Sequence, residues 1–295
     1  MENIIECNNL THYYGRKLVF KNVNYRVKRG STFGLLGKNG AGKTTTINIL
    51  NGYLTPSSGQ CLIFGEDSQH LSPPTKRRIG YLMEGHIQYG FMNIYQIERF
   101  YAPFYPHWKR EAYFELMAKL NVSPKQKISK MSCGQRSQVA LGLVLAQDPD
   151  LMVLDDYSMG LDPGYRQLFI DYLKAYTRSK NKTIFVTSHI LQDLDGFIDE
   201  AVILGSSGIL YYGGVKEFLE KFHCFKFIAP RFPSDLEKNE LIQNWEMLKG
   251  EVTLYSFQTG ERIEAFLKSQ GIDYSQFTEV AMSLEEAFIG LTGKY

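Results

Sequence analysis

At 295 residues, 44% hydrophobic and 22% charged, the chain has ordinary globular composition and length for one large domain plus a smaller one, which excludes disorder as its main state. Its 33 Lys and Arg balance 31 Asp and Glu to a net charge of +2. That balance is too even for a surface tracking a long polyanion, so no nucleic acid partner is expected.

Chain order gives the first elements. The start, "MENIIECNNL", has no basic region followed by an apolar core and does not read as a signal peptide. "IIECNNL" and "LVFKNVNYRV" alternate like strands on either side of a "THYYGRK" turn, which predicts an antiparallel hairpin. "STFGLLG" (31–37) is a strand entering a glycine turn, and "KTTTINILNG" continues as a helix stopped near Gly52. From about residue 85 to 135 the pattern is mostly helical, "NIYQIERFYAPF" and "KREAYFELMAKLN", broken at Pro103 and Pro106, so an inserted helical subdomain is expected there. "VALGLVLA" (139–146) is the most apolar stretch and falls far below the roughly 20 residues of a membrane-spanning helix.

"LMVLD" and "KTIFVTSH" are further apolar strands, each ending in a polar side chain. Strands alternating with helices from about 30 to 205 predict a parallel sheet with crossover helices, whose ligands sit at the carboxyl ends of the strands. After Phe222 the texture shifts: "CFKFIAP", "GEVTLYSF" and "DYSQFTEVA" read as strands, and "ERIEAFLKSQG" as a helix closed by Gly271. Ser283 with Glu286 forms a capping box opening "SLEEAFIGL". The expected organisation is a domain over 1–221 and a small α/β appendage over 222–295. Cys7, Cys61, Cys133 and Cys224 include no C-x-x-C pair, which argues against a zinc site or a disulfide framework and fits a reducing cytosol.

"GKNGAGKT" (37–44) matches G-x-x-x-x-G-K-[ST] and lies between a strand and a helix, as phosphate binding requires. Its glycines let successive N–H groups point inward as an anion nest, and the helix N-terminus adds its positive end. Gly37, Asn39, Gly40, Ala41, Gly42, Lys43, Thr44 and Thr45 are the expected contacts. Lys43 would reach the β- and γ-phosphates and Thr44 would place its hydroxyl on Mg²⁺. Asp155, ending its strand, offers the carboxylate that such a metal shell needs, although alone it could equally be a helix N-cap.

"MSCGQRSQVALGLVLAQDPDLMVLDDYSMGLDP" (131–163), followed by "TSHIL", resembles the signature-to-D-loop block and switch segment of ATP-binding-cassette (ABC) ATPases, over about residues 1–220. The resemblance implies an α/β P-loop fold with a mostly parallel core sheet, an antiparallel β subdomain and a helical subdomain. It is nearest to ATPase subunits of bacterial exporters with a separate permease chain, and "MSLEEAFIGLTGKY" is similar to the appendage such subunits carry.

Carried over by position, the resemblance makes Tyr14 the ring that stacks on adenine, and Ser132, Gly134 and Gln135 the signature peptide that closes on the γ-phosphate of the opposite subunit. Cys133 stands where glycine is often found; a helix N-terminus can activate a thiol, but a small packing residue is the better reading. Asp155 falls on the metal-shell acid, Asp162 on the D-loop aspartate, and His189 on the γ-phosphate contact. Two positions depart from the family: Glu84 replaces a glutamine that touches metal and attacking water, and Asp156 replaces the glutamate that acts as base. Tyr157 replaces the usual proline and frees that turn.

ATP and Mg²⁺ are the implied cofactors. The implied partners are a transmembrane permease and a second ATPase chain, like or unlike, bound in the presence of ATP. The implied location is cytoplasmic, at the inner face of the cell membrane. A nucleotide-gated regulatory subunit with little turnover is the alternative that Glu84 and Asp156 favour. Aspartate is on the order of 1 Å shorter than glutamate, a misplacement that can cost roughly 10²-fold, so slow turnover and a faster Asp156→Glu variant are expected.

Overall fold

The computed structural model describes residues 2–83, 85, 89–120, 122–158, 160–180, 182–233 and 236–293. The chain folds as two compact units, residues 1–209 and 210–295.

The first unit opens with β1 (Asn3–Tyr14) and β2 (Lys17–Lys28), paired antiparallel. The expected "THYYGRK" turn is shorter than its sequence suggests: β1 runs on to Tyr14, and only Gly15, at φ +60°, and Arg16 turn the chain. Strand β3 (Thr32–Gly37) follows, then α1 (Lys43–Leu50), β4 (Ser58–Ile63), the short β5 (Glu66–Asp67), α2 (Pro73–Arg77) and β6 (Ile79–Leu82). The first sheet has the order β2-β1-β4-β5. Its β1–β4 register sets Cys7 opposite Cys61, with the two thiol sulfurs 2.9 Å apart and both residues buried. All four cysteines are free. No sequence spacing reveals that pairing, because strand register creates it.

Next come α3 (Ile94–Tyr101), α4 (Arg110–Met117) and α5 (Cys133–Gln147), then β7 (Leu151–Leu154), α6 (Pro163–Lys180), β8 (Thr183–Val186) and β9 (Glu200–Leu204). Strands β9-β3-β8-β7-β6 lie side by side in that order with every pairing parallel. Apolar runs such as "LMVL" and "TIFV" are buried along their whole length because helices cover both faces of such a sheet. Tyr25, Phe33 and Phe185 stack in series, 5.6 Å and 5.8 Å between centroids, joining the antiparallel sheet to the parallel one.

Helix α5 is buried from Ser137 to Gln147, so its apolar positions surround it instead of forming a stripe. The helical segment packs on it through α4: Gln138 Nε2 donates to the Leu116 carbonyl at 2.7 Å, and Gly142 leaves room for Tyr113 and Met117. Pro103 and Pro106 fall between α3 and α4, where the helix breaks as the sequence predicts.

Strand β10 (Ile209–Gly214) begins at the last residue of the first unit, and the second unit contains α7 (Val215–Lys221), β11 (His223–Ile228), β12 (Asn244–Leu248), β13 (Glu251–Ser256), α8 (Gly260–Ser269), β14 (Ser275–Val280) and α9 (Leu284–Thr292). Its antiparallel sheet has the order β12-β13-β11-β14 around an aromatic core that includes Phe225, Phe227, Phe232 and the half-buried Phe277. Strand β12, "NWEML", escaped the sequence reading; its charged and amide residues mask the alternation that would mark it. The Ser283–Glu286 capping box opens α9 as expected.

Candidate functional site

A cavity of about 310 Å³ opens at the carboxyl ends of β3, β7 and β8. It is lined by Asn39, Gly40, Gly42, Lys43, Thr44 and Thr45 from the glycine loop and α1. Tyr14 joins from β1, Asp155 and Asp156 follow β7, and His189 follows β8. Lys43, Asp155, Asp156 and His189, spread over 146 positions of sequence, thus face one space because parallel strands bring their ends together.

Gly42 makes the loop possible. It sits at φ +100°, and a Cβ there would meet the Phe20 ring at 2.6 Å. It also caps α1 without any side-chain hydrogen bond, so the first amides of that helix keep their donor capacity for an anion. The Lys43 ammonium folds back onto the carbonyls of Gly37 at 2.6 Å and Lys38 at 3.2 Å. Burial lowers its pKa, while the charges of Asp156 and Asp155 oppose that shift. A half-desolvated cation facing two carboxylates is a site that gains from a triphosphate. Gly37 and Ala41 do not line the cavity: the first supplies a carbonyl to Lys43, and the second commits its N–H to the Lys38 carbonyl at 3.1 Å.

Tyr14 is half exposed, its hydroxyl 3.4 Å from Thr45 Oγ1 and its ring edge-on to His12 at 4.8 Å. It therefore presents an open ring face beside the phosphate loop. On the far side, the Thr187 hydroxyl donates to Asp155 Oδ1 and accepts the Asp156 N–H, both at 3.0 Å. Asp156 Oδ1 accepts the His189 N–H at 3.2 Å, and Oδ2 stands 3.1 Å from His189 Nε2 at an angle that makes no hydrogen bond. Thr187, Ser188, Lys17 and Val19 also line the cavity and were not singled out from sequence. For Thr187 and Ser188 the signal was present, as polar residues closing an apolar strand beside His189.

Thr44 and Asp155 offer a hydroxyl and a carboxylate to the same space. Hard oxygen donors in small number suit Mg²⁺, which keeps waters and takes its remaining ligands from phosphates. Glu84 lies outside the described residues.

Ser132, Gly134 and Gln135 stand apart from this cavity. Ser132 and Gln135 satisfy each other in a capping box at the start of α5, with bonds of 3.2 Å and 2.9 Å. Gly134 admits the Tyr165 ring, which a Cβ would meet at 2.5 Å. Asp162 accepts the Tyr165 N–H at 3.0 Å and starts α6. Cys133 is exposed.

A family model described as ABC transporter matches residues 20–158. The bacitracin transport ATP-binding protein BcrA of Bacillus licheniformis is 30% identical, the alignment covering 99% of this chain and 98% of that protein. The chain belongs to the ABC transporter family and is an ATP-binding subunit of it. Among solved structures, an ATP-binding subunit of an ABC transporter superposes with a TM-score of 0.65 at 22% identity, over 74% of this chain and 92% of the other. The cassette MJ0796, in a dimeric post-hydrolysis state bound to ADP and Pi, gives 0.63 at 20% identity, over 71% and 98%. These likenesses bear on the fold: an α/β P-loop ABC ATPase.

Proposed function

We propose that this chain hydrolyses ATP to power a separate permease, of the exporter kind, and does so as a dimer with a second copy or a related chain. One observation carries the reading. The phosphate loop, Tyr14, Asp155, Asp156 and His189 share a cavity, while Ser132, Gly134 and Gln135 belong to the start of α5, which does not line it. An opposite subunit bringing its own signature peptide would complete the site.

In this reading Tyr14 stacks on the base, and the loop amides, Thr45 and Lys43 hold the phosphates. Thr44 and Asp155 hold the metal ion, which offsets phosphate charge when bound. Asp156 takes the proton from the attacking water, and His189 steadies that carboxylate and faces the γ-phosphate. Phosphoryl transfer to water relies mainly on such positioning and electrostatics. Glu84, in place of the family's glutamine, is proposed as a further contact to metal and water.

Among the described residues no helix is long and apolar enough to cross a membrane. Attachment to the inner face of the membrane would therefore come through the permease. The test is to tag the chain, solubilise membranes from cells that express it at native level, and identify what copurifies. A polytopic membrane protein retained at stoichiometric yield supports the reading. Membrane association that survives deletion of that permease speaks against it.

A further inference from the structure

Three features meet at Asp156. Its backbone is left-handed, at φ +44°, a region costly for L-residues and best tolerated by aspartate and asparagine among those with a side chain. In that conformation its N–H is bonded to Thr187 and its Oδ1 accepts the His189 N–H, while Oδ2 lies 3.1 Å from His189 Nε2 without a hydrogen bond. The next residue, Tyr157, is fully buried, its ring stacked on Phe169 of α6 at 5.9 Å and 13°. Its hydroxyl has no hydrogen-bond partner among the described residues. A buried hydroxyl left unpaired is unfavourable, so what position 157 contributes is the packed ring.

We infer that Tyr157 is a positioning residue for Asp156: its ring, anchored on Phe169, holds the left-handed backbone that turns the short carboxylate onto His189. The inference rests on the reading of Asp156 as the base. A proline at 157 would forbid the arrangement, because its ring clashes with the N–H and Cβ of the preceding residue and drives that residue to φ near about −120°. Such a change swings the Asp156 N–H off Thr187 and its carboxylate off His189. Reach is therefore set by where the backbone aims Cβ as well as by side-chain length. A glutamate at 156 would carry an extra methylene on a backbone already turned inward, in a conformation it tolerates less well. Asp156→Glu alone is thus expected to slow hydrolysis, the reverse of what side-chain length by itself suggests.

The test uses the full chain. The φ angle at 156 is read from the three-bond HN–Hα coupling or a crystal structure, without nucleotide. Single-turnover hydrolysis at saturating Mg·ATP and the ATP dissociation constant are then measured for each variant. Tyr157→Phe keeps the wild-type rate. Tyr157→Pro moves φ at 156 to negative values and lowers the rate by about 10²-fold, with ATP affinity unchanged. Asp156→Glu lowers the rate, and Asp156→Glu/Tyr157→Pro recovers it above either single variant, a coupling that a merely structural role does not produce. A negative φ in the wild type, a wild-type rate for Tyr157→Pro, or an additive double variant overturns the inference. If Tyr157→Pro fails to fold, Tyr157→Ala decides: a rate equal to Tyr157→Phe overturns the role of the ring, and a lower rate at unchanged affinity supports it. Asp156→Asn separates the two levels. Full activity in that variant sinks the base assignment itself, whereas an inactive Asp156→Asn beside a fully active Tyr157→Pro sinks only the positioning role.

Discussion

In the proposed site Lys43 and Tyr14 would divide the work of holding a nucleotide, and each can be removed without touching the other. The Lys43 ammonium is buried and turned onto its own loop's carbonyls, bonds it would exchange for phosphate oxygens. Charge-assisted hydrogen bonds contribute about 1.5–3 kcal/mol each, so Lys43→Ala is expected to weaken Mg·ATP binding by more than tenfold in titration calorimetry. Equal affinity in the two proteins would remove Lys43 from the site. Tyr14 offers only a ring face, and stacking contributes about 1–3 kcal/mol per base with little regard to which base. Tyr14→Ala should therefore weaken ATP and GTP alike while leaving inorganic triphosphate untouched. A loss confined to ATP would point to base-edge recognition instead.

At the scale of elements, an ionic cluster joins the helical segment to the amino ends of the sheet strands. Lys109, just before α4, meets Asp148 at 2.6 Å; Lys182, just before β8, meets Asp148 at 3.2 Å; and Arg78, before β6, meets Asp150 at 2.8 Å. Burial raises the pKa of both aspartates, but hydrogen bonds from Lys109 and Arg78 and the charge of Lys182 outweigh it and leave both lowered. A carboxylate with a lowered folded pKa stabilises above its unfolded value, about 3.9, and that stability is lost as pH falls through the folded value. The melting temperature should therefore drop steeply below about pH 4. Asp148→Asn/Asp150→Asn should flatten that drop and lower stability at neutral pH on the order of 3 kcal/mol, because Lys182 then stays buried without a carboxylate. Parallel acid profiles for wild type and variant would rule the cluster out as the cause.

For the whole molecule, the question is whether one chain is enough. Light scattering should detect a dimer with ATP and EDTA or with a nonhydrolysable analogue, and a monomer without nucleotide. Gly134→Ala is a poor probe of the interface because its methyl group would strike Tyr165 and disturb the packing of α5 on α6. Ser132→Asn is better: it keeps an oxygen that can cap α5 while changing the face offered to a partner's phosphate. It should weaken the dimer without loss of melting temperature. A monomer under every condition, alone and with its permease, would exclude the paired arrangement.

The sequence alone carried the glycine loop, the strand ends bearing Asp155 and His189, the parallel sheet, and the resemblance that joined them, because these are local signals: turn chemistry, apolar runs and fixed spacing. It could not show what depends on contacts distant along the chain. Cys7 and Cys61 became neighbours only through strand register, and Thr187 came to bridge Asp155 and Asp156 only because β7 and β8 lie side by side. It showed an aspartate and a tyrosine where the family has glutamate and proline, and side-chain length was all it offered for judging the first. The left-handed backbone of Asp156 and the stacking of Tyr157 on Phe169 belong to the tertiary structure. A dihedral angle in a buried turn is set by everything packed around it, and no stretch of sequence contains that by itself.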